Sequence, residues 1–90
     1  MMKYRKKPVV IDAYCYDLKR DNYRPDWFMN KLSTNEIVTY KDYAIITNDH
    51  GDAFIELGDW VILDADGNLY PCSDELFKMT YEAVEDSEWQ

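Results

Sequence analysis

Glycine and proline occur only three times each in these 90 residues, histidine once and cysteine twice. Average usage would give about six glycines and four or five prolines, so a collagen-like repeat, a glycine-rich linker and a low-complexity tract are all excluded. A glycine-rich phosphate loop, a Walker pattern and an HExxH zinc motif are missing as well. Cys15 and Cys72 stand far apart with no second pair beside either, which removes a CxxC zinc or redox site and leaves two buried thiols as the expectation, a disulfide between them remaining open. Apolar runs are short. None approaches the roughly 20 residues of a membrane span, and the run after the charged "MMKYRKK" is too short and too broken by Asp12 for a secretory signal. The expectation is a protein of the cytoplasm.

What is abundant is aromatic and acidic. Hydrophobic residues make up 47% and aromatics 16%, with eight tyrosines and three tryptophans, enough for one core and too much for a disordered chain. A chain of this length buries about 60 to 65% of its unfolded surface, so one domain over residues 1–90 is expected, with 85–90 as a flexible tail. Eighteen acidic side chains against ten basic ones give a net charge of −8. Lys3, Arg5, Lys6 and Lys7 cluster at the start and Glu82, Glu85, Asp86 and Glu88 at the end. Such a field repels nucleic acid and draws basic partners, so direct nucleic-acid binding is not expected.

Alternation in "PVVIDAYCY" (8–16) predicts a first strand with Val9, Ile11, Ala13 and Cys15 on one face, and with Val10, Asp12, Tyr14 and Tyr16 on the other. Pro25, Asp26 and the apolar residues of "DWFMNKL" predict a short helix over 25–33, ended by "STN". "EIVTY", "YAIIT", "DAFIEL" and "DWVIL" are β-branched and aromatic segments separated by turn residues, and predict a four-strand antiparallel meander. The Lys41–Asp42 connection lacks a glycine and is expected to be a bulge or a longer turn. "DADGN" predicts a sharp turn with Gly67 at positive φ, and "LYPC" an edge strand. Ser73 should cap a helical turn near 74–79 whose apolar side is Leu76, Phe77 and Met79, and "TYEAV" should form a last strand. The whole reads as an α+β fold: a small curved antiparallel sheet or partly closed barrel, with Trp60, Ile62 and Tyr70 inward.

Three places in the chain carry residue types that could do chemistry. His50 in "NDHGD" would be a general base if Asp49 or Asp52 oriented it, but no nucleophile motif accompanies it. Asp64, Asp66 and Asn68 imitate the opening of a calcium loop, yet the glycine falls at the fourth place instead of the sixth, so neither metal nor cofactor is expected. "KYRKK" mixes a tyrosine with cations that would meet phosphates, or blunt an edge strand. Tyr14, Tyr16, Asp49, Asp52, Asp64 and Asp66 are the expected contact residues for a protein partner.

Several segments taken together resemble a known group. "MKYRKKPVVIDAY", the helix start Pro25, Asp26, Trp27 and Phe28, "GDWVI", the Gly67–Cys72 hairpin strand and "TYEAV" are similar to a family of small proteins encoded by tailed bacteriophages and prophages. The likeness spans nearly the whole chain. Tyr14 and Tyr16 replace a tryptophan usual in that group, and "DGNLYPC" replaces a "GEFYPC"-like hairpin. The resemblance implies a product acting in the cytoplasm of a bacterial host by binding a host protein, such as a defence or nucleic-acid-binding factor. A small enzyme using His50 and nearby carboxylates, and a virion or assembly component, are the alternative expectations. An exposed edge at "LYPC" or at the first strand offers a route to a two-fold homodimer.

Overall fold

The computed structural model describes residues 2–4, 10–17 and 24–83. The start of the expected first strand, most of the "KYRKK" cluster and the expected 85–90 tail lie outside them. The elements run β1 (Asp12–Cys15), α1 (Asp26–Ser33), β2 (Ile37–Thr39), β3 (Tyr43–Asn48), β4 (Gly51–Glu56), β5 (Trp60–Leu63), β6 (Leu69–Cys72) and α2 (Asp74–Thr80). The fold is α+β. Its strands form two three-stranded antiparallel sheets, ordered β1-β5-β6 and β2-β3-β4, and among the described residues no barrel closes.

The expected four-strand meander breaks after β4, where the chain bonds across to the segment that follows β1. Gly58 takes φ +93°, a conformation open to glycine, and its N–H donates to the Tyr16 carbonyl at 2.7 Å. The Tyr16 N–H in turn donates to the Asp59 carbonyl at 2.8 Å. These bonds carry the chain across to β1, so β5 pairs with β1 through Cys15↔Trp60 to Asp12↔Leu63. Asp59 also ends β4, since its Oδ2 accepts the Glu56 N–H and its own N–H donates to the Glu56 carbonyl.

Helix α1 starts one residue later than expected, with Pro25 extended at the N-cap and its carbonyl accepting from Phe28 and Met29. It ends in a Schellman arrangement: Asn35, at φ 64°, donates to the Leu32 carbonyl and Glu36 to that of Lys31. The β2–β3 connection is not the bulge or longer turn expected: the register continues past Thr39↔Ala44 and the Tyr40 N–H donates to the Tyr43 carbonyl at 2.8 Å, leaving Lys41 and Asp42 as a two-residue turn without glycine. Gly67 takes φ +87° in the β5–β6 turn, and Ser73 Oγ caps α2 by accepting from Leu76. "TYEAV" does not become a strand over its described residues. Helix α2 runs on to Thr80 and holds Tyr81 as its C-cap, with the Tyr81 ring 5.1 Å from that of Phe77.

The main core lies between the two sheets and α1. Tyr16, Phe28, Ile37, Ala44, Ile46, Ile55, Val61 and Leu69 form it, all at most 1% exposed. Period-two alternation therefore turns Val61, Leu63 and Leu69 toward it, and puts Trp60, Ile62, Tyr70 and Cys72 on the opposite face of their sheet. Ile62 is buried there, as expected of it, whereas Trp60 and Tyr70 are only half-buried, on the face away from the main core. That second face is covered in part by α2, where the Trp60 ring stacks on Phe77 at 3.8 Å and its Nε1 donates to Asp74 Oδ1 at 2.9 Å. Only Phe77 of the three apolar α2 residues turns to the sheet; Leu76 and Met79 are exposed. Cys15 and Cys72 lie on either side of Trp60 in the strand order, about 10 Å apart from the usual strand spacing and out of disulfide reach.

Candidate functional site: an aromatic, acid-rimmed sheet face

Two of the expected contact residues are corrected by the structure. Tyr16 is fully buried: its hydroxyl donates toward the carbonyls of Tyr43 (3.3 Å) and Tyr40 (3.4 Å), and burial pushes its pKa up. Tyr14 is half-buried, its ring 4.7 Å from Phe28. Both faces of β1 are covered, so alternation alone could not say which face meets the main core. Tyr14 packs against the buried cluster that holds Tyr16 and Phe28, and Ala13 and Cys15 lie on the other face of β1.

Asp49, Asp64 and Asp66 come together at the end where the β3–β4 and β5–β6 turns meet. Asn48 Nδ2 joins those turns by donating to the Leu69 carbonyl at 2.7 Å. Partial burial first, and then the Asp64 carboxylate, raise the pKa of Tyr70, with Asp49 and Asp66 adding to the effect. The Asp64 carboxylate is committed to its own turn, because its Oδ1 accepts the N–H groups of Asp66 and Asn68 at 2.9 Å. A cation already sits at this end: Lys31 Nζ donates to the Gly67 carbonyl at 3.0 Å and to Glu36 at 2.9 Å, a bond that lowers the Glu36 pKa. Asp52 stands apart on β4, accepting from Thr47 Oγ1. His50 is exposed in its turn, and its contact is a backbone one, N–H to Asn48 Oδ1 at 2.8 Å. Among the described residues no group of three His, Cys, Asp or Glu side chains is placed to hold a metal ion. Burial, and secondarily Asp59, raise the Cys72 pKa, which keeps that thiol protonated and unreactive.

The face that stands out was not anticipated. In the sheet β2-β3-β4 the registers Ile37↔Ile46 and Ala44↔Ile55 put the buried residues inside, so Val38, Tyr43, Ile45, Phe54 and Glu56 point outward. Phe54 is 68% exposed, Tyr40 47%, Leu57 41% and Val38 37%. The rings are organised. Tyr40 and Tyr43 stack with centroids 4.8 Å apart and planes within 13°, and Phe54 leans on Tyr43 at 5.4 Å and 60°. Beside them opens a shallow cleft of about 660 Å³ lined by Asp42, Tyr43, Phe54, Glu56, Leu57 and Asp59. Neither Asp42 nor Glu56 forms an ion pair among the described residues. An organised apolar face with a polar rim is the usual mark of an interaction site on a small protein.

The chain matches no family model, and no curated protein or solved structure is significantly similar to it. Among the described residues, no helix is long and apolar enough to cross a membrane.

Proposed function

We propose that the protein is a phage- or prophage-encoded binding protein that acts in the bacterial cytoplasm by occupying a basic host protein, such as a defence or nucleic-acid-binding factor. The observation that carries this reading is the exposed, ordered aromatic face of Tyr40, Tyr43 and Phe54 with Asp42, Glu56 and Asp59 at its margin. Aromatic residues supply contact area at low cost in conformational entropy, and a net charge of −8 speeds encounter with a positive partner.

The test is affinity capture of the tagged protein from nuclease-treated host lysate at low and high salt, with Phe54→Ala run alongside. One stoichiometric basic partner at low salt, lost at high salt and weakened by the substitution, is the expected result. No specific partner at either salt concentration would overturn the reading.

A further inference from the structure

We propose that the cleft between Tyr43, Phe54 and Leu57 receives an arginine side chain of a basic partner protein, a deepening that rests on the binding function above. The shape favours it. Phe54, 68% exposed, meets Tyr43 at 60° with centroids 5.4 Å apart, and Tyr40 stacks against Tyr43, so the exposed Phe54 ring stands on an ordered aromatic support. A guanidinium is planar, weakly hydrated and stacks on such rings; an ammonium is a hydrated point charge that gains less there. This chain already uses the same packing internally, with the Arg24 guanidinium 5.4 Å from the Phe28 ring centroid.

The charge of the cleft favours it too. Three of its six lining residues are carboxylates and none is cationic, although exposed Lys41 adjoins Asp42 in sequence. The rim is set in advance: the Glu56 backbone is held by both the carboxylate and the N–H of Asp59, so Asp59 keeps one oxygen engaged and one available. A fork of five N–H donors can meet spread carboxylates while its plane rests on a ring. The acidic end of the molecule fits the same ligand less well, because the Lys31 ammonium already sits there, donating to the Gly67 carbonyl.

The probe is a capped synthetic peptide of alternating arginine and glycine, with its lysine counterpart, titrated into isotope-labelled full-length protein and followed by amide chemical shifts. Shifts should centre on residues 42–43 and 54–59, the arginine peptide should bind more tightly than the lysine one, and added salt should weaken both. Phe54→Ala should reduce arginine-peptide affinity on the order of two- to fivefold and erase the preference over lysine. Phe54→Leu should behave like the alanine variant, since it keeps apolar bulk but removes the ring. Phe54 is 68% exposed, so both variants should keep the native spectrum.

Shifts centred on Asp49, Asp64 and Asp66, equal affinity for the two peptides, or full affinity in Phe54→Leu would each overturn the proposal. A concentration-dependent dimer abolished by Phe54→Ala would overturn it as well, by showing a second copy in the cleft. Failure of the broader reading looks different: the peptide would occupy the cleft while lysate capture returned no partner. Capture that survives Phe54→Ala would leave the host-binding function standing and remove the cleft.

Discussion

Replacing Tyr16 separates the surface role that strand alternation suggests from the core role the structure gives it. Tyr16 is 0% exposed and joins three segments: its N–H bonds Asp59, its carbonyl accepts from Gly58, and its hydroxyl reaches toward Tyr40 and Tyr43 at 3.4 and 3.3 Å. Those hydroxyl bonds are long against the usual 2.7 to 2.8 Å, and the Tyr43 carbonyl keeps the Tyr40 N–H as a partner at 2.8 Å, so Tyr16→Phe should cost only about 0.5 to 1 kcal/mol. Tyr16→Ala removes a buried ring and should cost about 3 to 5 kcal/mol. A 90-residue domain has about 5 to 13 kcal/mol in all, so the alanine variant would lose a large share or fail to fold. Urea unfolding followed by tryptophan fluorescence reads this directly. With a slope of about 1 kcal/mol/M, the phenylalanine variant should shift the midpoint by about 0.5 to 1 M and the alanine variant by about 3 M or more. An alanine variant within about 0.5 M of wild type would mean that Tyr16 is a surface residue, and the packing of β1 described above would be wrong.

Asn48→Ala removes both the bond to the Leu69 carbonyl and the cap on the His50 N–H, and should cost about 1 to 3 kcal/mol in the same assay; an unchanged midpoint would show that the turns are not tied there. Stability should also fall in alkali. Tyr16, Tyr70 and Cys72 all have folded pKa values raised above their ordinary ones, so the stability they contribute is complete below the unfolded values, near 8.5 to 9 for the thiol and about 10 for the phenols, and is lost as pH rises beyond them. Urea midpoints should be level between pH 7 and 8 and decline above 9, and Cys72→Ala should delay the first part of the decline; a midpoint that rises with pH would contradict the assigned burial.

The local signals in the chain were reliable where one residue decides one turn. Gly67 at positive φ, Ser73 capping α2 and Asn35 closing α1 each act through a bond to the adjacent backbone, and such chemistry reads directly from sequence. Long-range pairing did not read as well. "DAFIEL" and "DWVIL" look like consecutive strands of one sheet, and only the Gly58–Tyr16–Asp59 bonds, formed with a segment 42 residues earlier in the chain, divert the second to β1. The face of "YAIIT" and "DAFIE" was ambiguous for a different reason. Tyr43 and Ile45 alternate with Ala44 and Ile46, so both faces are apolar, and burial of the Ala44–Ile46 side leaves the bulkier Tyr43 and Phe54 outside. Apolar character on both faces of a sheet was the available sign of a second contact surface. The four aspartates drew attention by charge alone, which does not distinguish a carboxylate that caps its own turn, such as Asp64, from one at an open cleft, such as Asp42.

The most direct measurement of the central claim is hydroxyl-radical footprinting of the protein free and in complex with its captured partner, read residue by residue by mass spectrometry. Tyr40, Phe54 and Leu57 should be strongly modified in the free protein and protected in the complex, while buried Tyr16 stays inert in both. If those three residues remain reactive in the complex and protection appears instead at Tyr70 beside Asp49, Asp64 and Asp66, the partner binds the acidic end and the aromatic sheet face is not the site.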